Sequence, residues 1–217
     1  MSPLEAYAVR FGASYKWLAT LAVMLSCIAT TAASTMVNVA LPDISGAFGL
    51  GDDQVQWLST GFLAAMTATM LLSAWTLGRF GYRMAFLGAQ AIFIASSVAG
   101  AMASSGGAVI LARVFQGTAC GLIQPLAMVV LSQVFPRERR GQAMGIYTLG
   151  IVLSPALGPS LGGYLVDQFS WRDVFLAIVP LCLLAMAVTA IFLPGRDTRA
   201  GTKRPPFDGV GFTSLAA

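Results

Sequence analysis

An arginine stands inside a stretch of the sequence that is otherwise apolar enough to cross a membrane. This residue is Arg113, in the segment ILARVFQG, and Gln116 follows it at helical spacing. A guanidinium is charged at every accessible pH, and placing it at the centre of a membrane helix costs about 2.5–3.5 kcal/mol on insertion scales. Arg113 therefore needs a polar partner, and the nature of that partner decides what chemistry it can do.

Three interpretations of Arg113 follow from its position. The side chain can extend to the membrane surface, because it lies about 8 Å inside the predicted outer edge at 1.5 Å per residue and helical side chains lean toward the N-terminus. It can lie in a polar cavity, where its charge favours anionic or zwitterionic substrates or takes part in ion relay. It can also pair with a carboxylate from another part of a larger assembly. The sequence leaves all three open.

Two predicted helices carry polar residues at helical spacing, one near the start of the chain and one around Arg113. The candidate cavity residues on these faces are Thr30, Ser34, Asn38, Arg113, Gln116 and Gln124. The simpler alternative is that the hydroxyls bond back to carbonyls of their own helix. Because the pattern recurs in two helices, we predict that both line a substrate cavity, as matched helices do in transporters built from repeats.

The other ionisable residues indicate which chemistry is absent from this chain. It has no histidine, and all nine carboxylates lie outside the predicted membrane spans. Without a histidine or a buried acid, no nucleophile and base can be assembled, and a proton carrier in a membrane is ordinarily one of these groups. Cys27, Cys120 and Cys182 lie singly, without metal-binding spacing. We predict no enzyme activity, no cofactor and no metal site, and proton coupling stays open.

The composition is that of a membrane protein. Hydrophobic residues make up 57% of the chain and charged residues 10%, against roughly 45–50% and 25% in soluble domains. A helix needs about 20 apolar residues to cross the hydrocarbon core. The uncharged runs predict six spans, near residues 17–41, 54–77, 84–103, 108–132, 141–165 and 174–194. The predicted fold is an all-α integral membrane bundle of six helices, arranged as two three-helix repeats.

The basic residues set the predicted orientation. Eleven of them fall in segments on one side of the membrane and only Arg172 falls on the other, which places the N-terminus in the cytoplasm by the positive-inside rule. Residues 1–16 then form a cytoplasmic N-terminal segment and residues 196–208 a basic cytoplasmic linker. Residues 209–217 begin another apolar run that is too short to cross a bilayer, and we predict that they are the truncated start of a seventh span.

The predicted fifth span combines small residues with prolines. The small residues recur every four positions and form a smooth ridge against which another helix can pack closely, while each proline removes a helix hydrogen bond and favours a bend. The residues of this motif are Gly150, Ser154, Pro155, Gly158, Pro159, Gly162 and Gly163. We predict a tight helix crossing at this ridge.

Several of these segments resemble one family. The fifth-span pattern GxxxxxxxGPxxGG is similar to the antiporter motif of the major facilitator superfamily. The segment STMVNVALPDI, residues 34–44, resembles the end of the first span in the fourteen-span drug:proton antiporter group, and RVFQGTACG, residues 113–121, resembles its fourth-span motif. The resemblance covers the whole chain, but only the N-terminal half of such a transporter. It implies that the bent fifth span packs against the eighth span in the other half.

The resemblance implies one half of a transporter in the cell (inner) membrane of a bacterium. The expected activity is efflux of small organic or drug-like molecules by alternating access, with the first and fourth spans lining the site. The expected partners are the lipid bilayer, the small-molecule substrate, and either a C-terminal half or a second copy of the chain. No nucleic acid is expected, because membrane topology accounts for the basic residues.

The chain departs from the family pattern at two acids. Ala33 stands where the first span commonly carries an aspartate, and Gly78 where the loop after the second span carries one. That loop keeps Arg79, Gly81 and Arg83, which the resemblance assigns to the cytoplasmic gate. The missing acids weaken the expectation of proton coupling and leave the expectation of a transporter fold unchanged.

Two other functions stay open from the sequence. The chain can be a non-transporting truncated fragment that has inherited the motifs. It can also be a six-span interaction or pore protein that associates with itself through the ridge of the fifth span.

Overall fold

The structure is a computed structural model, and it describes residues 15–193. Within that range the chain is helical apart from short connections. The helices are α1 (Tyr15–Val39), α2 (Leu41–Phe48), α3 (Asp52–Met70), α4 (Ser73–Ala101), α5 (Gly106–Val134), α6 (Arg140–Gln168), α7 (Trp171–Ala177) and α8 (Val179–Phe192), with a 3-10 turn at Arg137–Arg139. The predicted linker 196–208, the predicted start of a seventh span 209–217 and nearly all of the N-terminal segment 1–16 lie outside the described residues.

Five helical stretches of residues 15–193 are long and apolar enough to cross a membrane. They are Tyr15–Val39, Ser73–Ala101, Gly106–Val134, Arg137–Gln168 and Trp171–Phe192. The predicted second span, 54–77, is occupied instead by the less apolar α3, a two-residue turn and the first residues of α4. The fold is therefore all-helical and built for a membrane, while the complete set of six spans stays a prediction.

Helix α4 is divided at Gly81, where the backbone leaves helical geometry. The φ of 76° and ψ of 173° at this residue lie in a region that is open essentially only to glycine. The break separates residues 73–80, which overlap the predicted second span, from residues 82–101, which overlap the predicted third. Arg79 and Arg83 flank the break, so the connection between these two spans depends on one glycine conformation.

The helices α1 and α5 hold the bundle together. Helix α1 packs against α6 and α8, whereas α5 packs against α3 and α4, and α1 and α5 also contact each other. Each of the two opens one predicted three-helix repeat and packs against the other two helices of the opposite repeat. The repeats are thus interlocked, and this arrangement brings the polar faces of α1 and α5 together inside the bundle.

At one end of the bundle, an aromatic cluster around Trp171 packs the short helix α2 against α7. The ring of Phe48, in the short helix α2, meets the Trp171 ring edge to face at a centroid distance of 5.6 Å. The guanidinium of Arg172 lies 4.3 Å from the centroid of the same ring and donates a hydrogen bond of 3.2 Å to the carbonyl oxygen of Ala103. Arg172, the one basic residue predicted on the outer side, thereby joins α7 to the end of α4.

Candidate functional site around a buried arginine

The side chain of Arg113 lies inside the bundle, where it is only 1% exposed. Its Nε donates a hydrogen bond of 3.2 Å to the carbonyl oxygen of Leu58 on α3. Its Nη1 donates to Oε1 of Gln116 at 3.1 Å, and its Nη2 donates to the carbonyl oxygen of Ser34 on α1 at 3.5 Å. The guanidinium therefore links three helices and is enclosed by protein, which differs from a side chain extended to the membrane surface.

Neutral groups complete the surroundings of this charge. The ring of Phe62 lies 4.3 Å from the guanidinium carbon, a distance at which a ring face attracts a cation. Gln116, which accepts from Arg113, donates its own amide to the Ser97 hydroxyl at 2.8 Å. Among residues 15–193, no carboxylate forms an ion pair or hydrogen bond with Arg113. Carbonyl oxygens, one amide and one ring thus stabilise a full positive charge.

Two glycines allow the close helix contact that builds this site. A Cβ atom added at Gly117 would collide with the carbonyl oxygen of Phe62, and one added at Gly121 with the carbonyl oxygen of Met66. Small residues four apart let two membrane helices approach to backbone contact, so α5 lies directly against α3. That approach places the Leu58 carbonyl and the Phe62 ring next to Arg113. The spacing of the two glycines is a sequence signal for a close helix crossing on α5, but it does not identify α3 as the partner.

A small cavity of about 70 Å³ lies beside the guanidinium. Its lining combines polar and apolar side chains, namely Ser34, Asn38, Ser59, Phe62, Leu63 and Arg113. At its edge the Ser59 hydroxyl donates to Oδ1 of Asn38 at 3.1 Å. A water molecule occupies about 30 Å³ in the liquid, so the cavity has room for about two waters or for one small polar group of a ligand.

The structure brings together four of the six predicted cavity residues. Ser34, Asn38 and Arg113 line the cavity, and Gln116 holds the guanidinium from behind. Thr30 does not line this cavity, and its hydroxyl bonds back to carbonyls of its own helix at 3.0 and 3.1 Å. Gln124 is also absent from the lining, and its carbonyl oxygen accepts from the Tyr147 hydroxyl at 3.5 Å.

Backbone bonding is the rule for the hydroxyls of α1. The hydroxyls of Ser26, Thr31 and Ser34 donate to carbonyls of the same helix at 2.7–2.8 Å, and Thr35 does the same at 3.0 Å. These hydroxyls are therefore paired within their own helix, as the simpler alternative for the polar face of α1 predicts. What α1 contributes to the site is mainly the Ser34 carbonyl and the Asn38 amide.

The ridge of the fifth span packs against α1 of the same chain. Ser154 donates a hydrogen bond of 2.8 Å to the carbonyl oxygen of Ile28. A Cβ atom added at Gly158 would collide with the Thr35 hydroxyl, and one added at Gly162 would lie 2.9 Å from the Met36 carbonyl oxygen. The predicted tight crossing is therefore present, and its partner in the structure is the first span.

This contact bears on the other expectations for the ridge. The self-association hypothesis needs an uncovered ridge, but α1 covers it at Ser154, Gly158 and Gly162. Packing of the fifth span against an eighth span, which the resemblance implies, involves a helix of the other half and stays a prediction. Gly163 has only Val39 near it, at 3.9 Å, and Pro155 and Pro159 lie away from the buried row. The uncovered side of α6 carries large apolar side chains instead, including Leu149, Val152, Leu153, Leu157 and Leu161.

The two positions that depart from the family pattern have different surroundings. Ala33 is 2% exposed and belongs to the apolar core. Arg79, near the other position, is exposed, and its guanidinium lies 5.6 Å from the centroid of the Trp75 ring. The carboxylates of residues 15–193 all lie in connections, in the short helices or in the end turns of the long ones.

Comparison with known proteins agrees with this geometry. The model of the Major Facilitator Superfamily matches residues 23–215, which is most of the chain. The chain belongs to the major facilitator superfamily. The resemblance drawn from the motifs is confirmed, and membership identifies a membrane transport protein, not an enzyme.

Curated relatives of this major facilitator chain include drug exporters. It is 33% identical over 198 residues to the multidrug export protein EmrB of Haemophilus influenzae, covering 91% of this chain and 38% of that protein. It is 35% identical over 201 residues to the tetracenomycin C resistance and export protein of Streptomyces glaucescens, covering 92% and 37%. The chain thus spans a little over a third of the length of these relatives.

Solved structures share the fold. The peptide transporter POT in complex with sulfate matches with a TM-score of 0.72 at 15% identity, over 91% of this chain and 42% of that one. The inward-open xylose transporter XylE from E. coli matches with a TM-score of 0.72 at 15% identity, over 81% of this chain and 47% of that one. The helices described above therefore form part of a major facilitator fold.

Proposed function

We propose that this chain is the N-terminal bundle of a fourteen-span drug exporter, and that it moves small organic molecules out of the cell by alternating access. The relatives named for multidrug and tetracenomycin C export support this proposal, as do the first-span, fourth-span and fifth-span motifs. The chain spans only 37–38% of those relatives, so a C-terminal half or a second copy supplies the opposite wall of the pathway.

The observation that carries the proposal is the buried charge of Arg113, which has no carboxylate partner among residues 15–193. Three neutral acceptors and the Phe62 ring hold the guanidinium at the wall of a polar cavity. The dipoles of these neutral groups stabilise the guanidinium charge but do not cancel it. The cavity beside Arg113 therefore keeps a positive electrostatic potential. We propose that an anionic or zwitterionic group of the substrate, or an acid of the other bundle, approaches Arg113 through this cavity.

The membrane and the orientation are part of the same proposal. Eleven basic residues on one predicted side support a cytoplasmic N-terminus in the bacterial inner membrane. The bilayer-length helices have no carboxylate away from their ends within residues 15–193. If transport is coupled to protons, the carrier is then an acid of the other bundle or one of the pair Asp52 and Asp53 at the start of α3.

The decisive experiment measures dye export by the complete transporter that contains this chain, in inside-out vesicles. Arg113→Ala should abolish export of anionic and zwitterionic dyes while membrane insertion is unchanged. Arg113→Lys should retain part of it, because it keeps the charge without the forked donors. Arg137→Ala, at an exposed position of the connection before α6, serves as the matched loss of an arginine outside both the cavity and the gate loop. Full export by Arg113→Ala would contradict the proposed role.

A liposome assay on residues 1–217 separates the proposal from its alternatives. Coupled uptake would support two copies acting as a pair of bundles, and passive leak would support a pore. We expect residues 1–217 alone to give neither uptake nor leak. Transport should appear only when a C-terminal half is also present.

A further inference from the structure

A groove runs along the outside of the bundle between α6 and α8. Both helices pack against α1 but make little contact with each other, and the gap between them forms a cavity of about 500 Å³. Its floor is α1, at Ile28, Ala32 and Met36. Its walls are apolar side chains that include Leu157 and Leu161 of α6 and Ile178 and Leu181 at the start of α8.

The chemistry of the lining fits an aliphatic chain. Ser154 and Tyr164 are the polar residues among the described ones that line the groove, and the Ser154 hydroxyl already donates to the Ile28 carbonyl oxygen at 2.8 Å. A ligand with several donors and acceptors would leave them unpaired here, which costs free energy. An acyl chain has no hydrogen-bonding groups, so its burial in the groove carries no such cost.

The dimensions of the groove match one leaflet of a bilayer. Its lining on α6 extends from Ser154 to Leu165, which is about 16 Å at 1.5 Å per residue. Half of a hydrocarbon core that is roughly 30 Å thick is about 15 Å. The lining lies in the C-terminal halves of both α1 and α6, so the groove faces the leaflet on the predicted outer side.

A second concavity continues the groove at the end of α6. It has a volume of about 290 Å³, and the two concavities share Leu165 and Ala177. Its lining adds Phe169, Leu176 and the acidic residue Asp173, which carries a carboxylate. Within residues 15–193 that carboxylate has no hydrogen-bond or ion-pair partner, and neither concavity is lined by a described lysine or arginine. The groove thus has an apolar body and one negatively charged end.

We propose that this composite groove binds one phosphatidylethanolamine molecule of the outer leaflet. One acyl chain lies along α1 between α6 and α8, and the ammonium group lies at the Asp173 carboxylate. The groove uses the Ile28, Ala32 and Met36 side of α1, whereas Ser34 on another side contacts Arg113. The lipid site is therefore separate from the cavity of the proposed transport pathway, and its occupancy does not depend on transport.

Native mass spectrometry of the purified 217-residue chain tests this site. The probes are dioleoyl phosphatidylethanolamine and dioleoyl phosphatidylglycerol, which have the same acyl chains and differ in the ammonium group. The unaltered chain should retain the ethanolamine lipid about threefold better, as an ion pair near a membrane surface allows. Asp173→Asn should remove this preference, so that the two lipids are retained about equally, without loss of folding.

A second pair of variants tests the acyl-chain groove. Ala177→Trp places a large ring between the two concavities and should remove most bound lipid of both kinds. Leu149→Trp, at an exposed position of α6 that lines neither concavity, should bind lipid as the unaltered chain does. Equal retention of the two lipids by the unaltered chain, or equal binding by the two tryptophan variants, would overturn the proposal. So would displacement of the lipid by the lipophilic cation tetraphenylphosphonium, or a dimer that Ala177→Trp abolishes, because each assigns the groove another occupant.

Discussion

At the scale of single residues, the main finding is a charge that neutral groups hold inside a membrane bundle. Arg113 uses one amide and two carbonyl oxygens from two other helices. Gln116 connects Arg113 to α4, because its side chain accepts a hydrogen bond from Arg113 and donates one to Ser97. Its removal should therefore affect the bundle as well as the guanidinium.

Gln116→Leu should lower the free energy of unfolding by about 1–3 kcal/mol, the usual cost of leaving buried polar groups unpaired. The measurement is unfolding of the detergent-solubilised chain, followed by tryptophan fluorescence. Thr118→Val is the control, because the Thr118 hydroxyl bonds only to the Val114 carbonyl of its own helix, and it should change stability by less than about 0.5 kcal/mol. Equal effects of the two variants would show that the Gln116 bonds contribute nothing specific.

Sequence reasoning found the charged residue of the site more readily than its partners. Arg113 stands out because a charge within a membrane span is rare. The Leu58 carbonyl could not be predicted, since every residue has one and only helix packing selects it. Thr30 was assigned to the cavity by spacing alone, but a hydroxyl can satisfy itself on its own helix.

At the scale of helices, close approach is made possible by rows of small residues on α5 and α6. The row on α5 lies against α3 and the row on α6 lies against α1. The spacing of the row on α6 predicted a crossing, but it does not encode which helix is the partner. The identity of the partner follows from the topology of the whole bundle.

Gly158→Leu should destabilise the α1–α6 crossing by about 1–3 kcal/mol, the usual cost of overpacking, because its Cβ atom would collide with the Thr35 hydroxyl. Gly163→Leu is the matched control on the same helix, since its Cβ atom would meet only Val39 at 3.9 Å. Thermal unfolding of both variants checks the difference. A Gly158→Leu variant as stable as Gly163→Leu would remove the close-contact interpretation.

The break in α4 makes a separate prediction. Gly81→Ala should cost about 1–3 kcal/mol, because its φ of 76° with ψ of 173° is a conformation that a side chain opposes. Gly88→Ala, in the same helix with nothing within 4 Å of its Cβ atom, should be neutral or slightly stabilising. Protease cleavage near residue 81 in membranes, together with unfolding midpoints, measures the effect. An unchanged Gly81→Ala variant would mean that the connection tolerates another geometry.

At the scale of the whole molecule, the interlocked repeats decide how the bundle is assembled. Helix α1 has its main neighbours in α6 and α8, and α5 has its main neighbours in α3 and α4. Each predicted repeat therefore relies on the other to cover its polar first helix. We expect the two to fold as one unit, although the sequence pattern divides them near residue 103.

A chain split between Ala103 and Ser104 tests this interdependence. The fragments 1–103 and 104–217 should copurify from membranes when they are expressed together, and each should be degraded when expressed alone. Arg172→Gln should weaken their association, because Arg172, which bonds to the Ala103 carbonyl oxygen in the intact chain, faces the new C-terminal carboxylate of Ala103 in the split one. Stable accumulation of either fragment alone would indicate independent repeats.

The broad fold was predictable because hydrophobic length is a strong signal. Five helical stretches of residues 15–193 are long and apolar enough to cross a membrane, and they overlap the predicted first, third, fourth, fifth and sixth spans, whose bounds stay a prediction. The second was harder, since α3 carries more polar residues, among them Ser59, whose side chain lines the cavity.

The packing of α1 against helices that come later in the chain also sets a minimum delay before α1 is buried during synthesis. The Ser34 carbonyl and its partner Arg113 are 79 residues apart, and Ser154 follows its acceptor Ile28 by 126 residues. At about 5–20 residues per second on the ribosome, the first span waits about 4–16 s for Arg113 and about 6–25 s for Ser154. During that interval the first span lies in the membrane without these partners, and the bonds of its hydroxyls to its own carbonyls allow it to wait there without exposing unpaired donors.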